Sequence, residues 1–168
     1  MIFLTIGTQL PFDRLVRIMD GLAPQLNEEV VAQVNQCDFT PKNIKTVDFL
    51  APDEFNGLFV KARLIVSHAG MGTILSALQK GKPIVVFPRI AALGEHRNEH
   101  QLATARKFKE SGIVNVAMDE TELRDYLLCK DLHPLQHISD KASASLIQSI
   151  ESFINSPRQS RRSSRPCN

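Results

Sequence analysis

An α/β domain with a parallel sheet of about six strands flanked by helices is predicted by three observations. Short apolar runs rich in β-branched residues alternate with longer stretches whose apolar residues recur three and four positions apart. Strand-like runs end in Gly7-Thr8, Ser67 and Pro88, residue types that suit turns at strand ends. The 168 residues, 43% of them apolar, suffice for one domain with a sizeable core.

Ile2 to Ile6 reads as the first strand, ending in Gly7-Thr8. Pro11 suits the first turn of a helix, and Phe12, Leu15, Val16, Met19 and Leu22 follow at helical spacing. Val30 to Val34 is the second strand, and Ile44 to Leu50 the third, alternating Ile44, Thr46 or Val47, and Phe49. Asp53 is placed to cap a short helix carrying Phe55, Leu58 and Phe59. Leu64 to Val66 is too short for a helix and reads as a buried strand that ends at Ser67. Met71, Ile74, Leu75 and Leu78 mark the next helix, stopped by Gly81 and Pro83, and Ile84 to Phe87 the strand after it.

A polar loop follows Pro88, then a helix marked by Leu102, Ala105 and Phe108 that closes with Lys107, Lys109 and Gly112. Ile113 to Val116 is the last strand. Asp119 or Thr121 caps a helix through Leu128 that His133-Pro134 breaks. Leu146, Ile147, Ile150, Phe153 and Ile154 mark a final amphipathic helix. The resulting expectation is a Rossmann-like domain over residues 1–155, followed by a disordered basic tail over residues 156–168.

Charge and cysteines narrow the function classes. Arg158, Arg161, Arg162 and Arg165 sit in that tail without an acid, so the net +2 of the chain, less these four charges, leaves −2 on the rest. No nucleic-acid partner is expected. Cys37, Cys129 and Cys167 are odd in number and widely spaced, which suggests neither a disulfide framework nor a zinc site. Met1 to Leu4 enter a strand directly, and no apolar run approaches a membrane span. A soluble cytoplasmic protein is expected.

The chemistry concentrates between Arg63 and Gln101. Gly70 and Gly72 clear side chains from a strand-to-helix turn, and the helix that opens there presents unpaired N–H groups and about half a positive charge. Such a terminus suits a nucleotide diphosphate, with Thr73 adding a hydroxyl. Glycines here also serve plain strand-helix packing, so the turn by itself leaves both readings open. It is neither a P-loop nor a dinucleotide fingerprint, because Leu75 stands where the third glycine would be. The loop from Arg89 to Gln101, holding Glu95, His96, Arg97, Asn98, Glu99 and His100, leaves the next strand on the same sheet edge.

Ser67 to Thr73, Gly81-Lys82-Pro83, Pro88, and Asn98 to Gln101 followed by Ala105 together resemble the C-terminal, donor-binding domain of family 28 glycosyltransferases. The resemblance covers about residues 1–155 and implies the C-terminal half of a GT-B enzyme. More narrowly, the chain resembles small catalytic subunits of split glycosyltransferases. These include the cytosolic half of the eukaryotic N-acetylglucosaminyltransferase of lipid-linked oligosaccharide synthesis and bacterial relatives in capsule and exopolysaccharide assembly. The run from Pro88 to Gln101 favours the bacterial group.

The resemblance implies an inverting transfer from a UDP-sugar to a polyprenyl-diphosphate-linked saccharide. A membrane-associated partner subunit would hold that acceptor at the cytoplasmic face. Gly7, Thr8, His68, Gly70, Gly72 and Thr73 are expected at the diphosphate, with Glu95, His96, Asn98, His100 and Gln101 reading sugar and ribose. His100 alternatively starts a helix. Glu95 or His96 is the expected general base, unless the partner supplies it. No Asp-x-Asp occurs, so no metal or other cofactor is expected. Phe49 to Pro52 would lie beside the base, or Phe49 would sit in the core.

Ser76 stands where many members carry a glutamate, and Thr104 where some have Asn. Galactose, glucose or glucuronic acid is therefore expected as donor sugar, with N-acetylglucosamine or a non-catalytic nucleotide-sugar-binding subunit as alternatives. The final helix is either core or partner interface, weak homodimerisation through an exposed cleft wall is expected, and the arginines of the tail could lean on anionic lipid.

Overall fold

The computed structural model describes residues 1–8, 10–138 and 148–149. The helix expected at Leu146 to Ile154, but for Gln148 and Ser149, and the basic tail lie outside the described residues. Met1–Ile138 forms one compact unit, and it contains every candidate site residue.

Six strands form a single sheet: β1 (Ile2–Thr5), β2 (Val30–Gln33), β3 (Lys45–Val47), β4 (Leu64–Ser67), β5 (Ile84–Val86) and β6 (Asn115–Val116). Their order is β3-β2-β1-β4-β5-β6, and every pairing is parallel. Helices α1 (Asp13–Leu22), α2 (Pro52–Lys61), α3 (Met71–Gln79) and α4 (His100–Ser111) supply crossovers, and α5 (Glu120–Leu128) follows the last strand.

Successive residues of a strand point to opposite faces, and both faces here are covered. Ile2 and Leu4 face a core completed by Leu15, Val16 and Met19 of α1 and by Leu123 and Leu127 of α5. Phe3 and Ile65 face the other core, with Phe59 of α2, Ile74 and Leu78 of α3 and Ala105 of α4. That two-sided burial is why the central strands read as unbroken apolar runs rather than alternating ones.

Four expectations need correction. The third strand ends at Val47, and Phe49 beyond it is 71% exposed, so it is not core. At α2 the cap residue is Ala51 with Pro52 behind it, and the Glu54 carboxylate accepts from the Ala51 N–H at 3.1 Å. Asp53 is thus inside the first turn, where its charge still favours the helix dipole. The last strand is confined to Asn115–Val116, and α5, which reaches Leu128 as expected, is already over before His133-Pro134, so that pair does not stop it. Asp119, not Thr121, caps α5, its carboxylate accepting from the Glu122 N–H at 2.9 Å.

Candidate functional site

The chain runs from β1 outward to β2 and β3, then returns to place β4 on the other side of β1. At such a reversal the loops leaving adjacent strands part and open a crevice beyond their carboxyl ends. A cleft of about 450 Å³ lies there, lined by Ile6, Gly7, Thr8 and Leu10 after β1, by His68, Gly70, Gly72 and Thr73 after β4, and by Arg89, His96 and Gln101 after β5. Among the described residues no carboxylate belongs to this lining.

Each wall has a local cause. Gly70 precedes the first turn of α3, and the Ile74 N–H is bonded to the Gly70 carbonyl. The N–H groups of Met71, Gly72 and Thr73 precede that first intrahelical bond, and no acid occupies the turn. Gly7 has φ +78°, a left-handed conformation that turns the chain sharply out of β1. A Cβ on Gly7 would come within 2.8 Å of the His68 ring, and one on Gly70 would overlap it from its other neighbour. The imidazole is therefore packed against two glycines at its Cε1–Nε2 edge. Burial, aided by the Arg89 charge, pushes its pKa down to about 4, against the opposing effect of a hydrogen bond with the Thr5 backbone. At neutral pH His68 is an uncharged hydrogen-bonding group.

Arg89 is only 2% exposed. Its NH2 donates to the Ile6 and Leu10 carbonyls, both at 2.7 Å, and its NH1 to those of Pro11 at 2.5 Å and Glu95 at 3.1 Å. This one side chain ties the segment after β1 to the loop after β5. A second tie lies outside it. Arg14 donates from Nε and NH2 to the two Glu95 carboxylate oxygens at 2.6 and 2.8 Å, and from NH2 to the Pro88 carbonyl at 2.9 Å. The Glu95 carboxylate also accepts from the Ile90 N–H at 2.8 Å.

The structure therefore gathers Gly7, Thr8, His68, Gly70, Gly72, Thr73, His96 and Gln101 around one space, as the sequence analysis expects. It does not bring Glu95, Asn98 or His100 into the lining. Glu95 is held by Arg14 with its side chain 10% exposed, so its carboxylate is committed to the loop. Asn98 makes an Asx turn, its Oδ1 accepting from the His100 N–H at 3.2 Å, and His100 is the first residue of α4, the helix-start alternative. The His96 Nδ1 lies 3.0 Å from the Asn98 carbonyl and 3.1 Å from Asn98 Oδ1, and the Asn98 N–H donates to it at 3.4 Å, so the ring is held by Asn98. Sequence reasoning missed Arg89 and Arg14 as site-building residues. For Arg89 a signal existed, since it follows a buried strand and Pro88 without a break. For Arg14 there was none.

The glycosyltransferase family 28 C-terminal domain matches residues 1–156. The UDP-N-acetylglucosamine transferase subunit ALG13 of Mus musculus is 32% identical over 121 residues, 66% of this chain and 10% of its own length. The protein of that name from Eremothecium gossypii is 34% identical over 93 residues, covering 53% of this chain and 44% of its own. The chain thus spans less than half the length of these relatives. Among solved structures, that of ALG13 determined by NMR has a TM-score of 0.54 at 21% identity, covering 90% of this chain and 93% of its own. MurG from Acinetobacter baumannii has a TM-score of 0.61 at 18% identity, over 90% of this chain and 49% of its own, a likeness of fold.

Proposed function

The chain belongs to glycosyltransferase family 28, matching its C-terminal domain, and from that premise we propose that it is the UDP-sugar-binding half of a two-part glycosyltransferase. The observation that carries this reading is the cleft itself. Helix N–H groups at Met71 to Thr73, the Thr8 and Thr73 hydroxyls, and a buried guanidinium surround one space free of acids among the described residues, a setting for a diphosphate.

The donor sugar is best read as N-acetylglucosamine. Several relatives carry the name UDP-N-acetylglucosamine transferase subunit, which supports the alternative over the hexose and exopolysaccharide setting expected from the sequence. The relatives are described as subunits, which supports a partner; we place the acceptor lipid on a membrane-associated one at the cytoplasmic face. No helix among the described residues is long and apolar enough to cross a membrane.

In the reaction, an acceptor hydroxyl attacks the anomeric carbon from the face opposite the leaving group. The bond to the diphosphate oxygen breaks with its electron pair leaving on UDP, and configuration inverts. The α3 terminus and Arg89 are set to stabilise that developing charge without a metal. The hydroxyl proton goes to His96 or to a partner residue.

Calorimetric titration of the full chain in chelator tests this. UDP should bind, with UDP-N-acetylglucosamine preferred over the galactose, glucose and glucuronic acid nucleotides. No binding to any, alone or with a co-expressed partner, overturns the donor-site reading. Of the two expected base candidates, commitment of Glu95 to Arg14 leaves His96, so a binding-only subunit is the second reading. His96→Ala in the assembled enzyme separates the two: a fall in kcat with KM nearly unchanged supports catalysis here, and unchanged kcat supports the second reading.

A further inference from the structure

We propose that Arg89 acts as a fixed, protein-solvated positive charge behind the cleft, drawing the diphosphate of the donor and stabilising it as it leaves. This rests on the reading of the cleft as a nucleoside-diphosphate site.

The argument begins with charge. A guanidinium stays ionised, and burying one is unfavourable unless carbonyls or a counter-ion replace its water. Arg89 is 2% exposed, and among the described residues no carboxylate lies within ion-pair distance of it. The nearby carboxylate of Glu95 is engaged on both oxygens by Arg14, so the three groups together keep one net positive charge.

Donor stoichiometry says how that charge acts. A guanidinium has five N–H groups, and four of Arg89's point to carbonyls of Ile6, Leu10, Pro11 and Glu95. Among the described residues only the Nε–H has no protein acceptor. Four carbonyl dipoles solvate the ion without neutralising it, and its field still extends into the space it lines. The depressed pKa of His68, to which the Arg89 charge contributes, agrees that this field crosses the cleft. A brace alone would need the hydrogen bonds; an anion site needs the charge as well.

Arg89→Lys keeps the charge and Arg89→Gln keeps two donors without it, so the pair separates field from brace. Affinities of the full chain and both variants are measured for UDP and for uridine. The ratio of UDP to uridine affinity should fall about tenfold in Arg89→Gln and stay near that of the unsubstituted chain in Arg89→Lys. Equal ratios in the two variants overturn the proposal and leave a brace.

Should either variant fail to fold, the Arg89 Nε–H resonance of the unsubstituted chain decides. It should move on adding UDP and stay in place with uridine; no movement with bound UDP overturns the proposal. Failure of the unsubstituted chain to bind UDP, alone or with a partner, is a different result, since it removes the donor site itself.

Discussion

Gly70→Ala is expected to abolish UDP binding and to lower stability by about 1–3 kcal/mol, as overpacking of a filled site does. Gly70 has φ −89° and ψ 129°, ordinary values for alanine, so its backbone needs no glycine. The whole effect comes from the new methyl group overlapping the His68 ring. The same ring also packs close to Gly7, where an added Cβ would come within 2.8 Å of it.

Gly7→Ala combines the same crowding with φ +78°, which adds about 1–3 kcal/mol of backbone strain. The two substitutions therefore part company when His68 is shortened. His68→Ala should restore the stability of Gly70→Ala almost fully, and that of Gly7→Ala only by its steric share. Denaturant unfolding of the three single and two double variants, read as two double-mutant cycles, measures this. Unchanged stability in Gly70→Ala, or no rescue by His68→Ala, would show that the ring is free to move and that the glycines serve another purpose.

These glycines were legible because what they do is local. A glycine beside a strand end or a helix start is recognised from its immediate neighbours, and the sheet followed from apolar periods of the same short range. Legibility fails at the sheet edge. β3 pairs on one side only, and of its residues Lys45 and Thr46 are exposed. An edge strand sheds the requirement that alternate residues be buried, so Phe49 reads as core by spacing while standing in solvent. The cap of α2 fails for a different reason. Both Ala51-Pro52 and Asp53 are valid start signals, and the choice depends on Glu54 reaching back to Ala51.

The site divides in the same way. Sequence places Glu95 in a polar loop at a strand end, and a carboxylate there is a natural base. What commits it instead is Arg14, 81 positions away. No pattern rule pairs charges over that distance; only the sheet order, which sets the loops after β1 and β5 side by side, does so. Arg89 is hidden by the opposite bias, because a charged residue is expected at the surface and this one is solvated by backbone carbonyls. Family resemblance transfers positions that face a ligand, whereas these two arginines build the wall behind those positions.

The second large effect is an acid sensitivity centred on His68. Its pKa in the fold is about 4 against an ordinary 6.5, so between those values the unfolded chain binds more protons than the folded one. Stability therefore falls as pH drops through that window, is unaffected by this group above it, and loses about 3 kcal/mol by its lower end. The carboxylates of Glu28, Glu29 and Glu122 are held below their ordinary range by hydrogen bonds and charges from Arg63, Lys45 and Lys109. Their stabilisation is lost only at more acidic pH, so the upper part of the window belongs to the imidazole.

His68→Gln should flatten the unfolding free energy between pH 6.5 and 4.5 while keeping the acid loss below it. A diphosphate in the cleft opposes the Arg89 charge that helps hold His68 neutral, so saturating UDP should raise its pKa and shrink the same loss. An unsubstituted chain whose stability is level across that window would place the imidazole in water rather than against the two glycines. A loss that UDP leaves untouched would place the bound anion beyond reach of the ring.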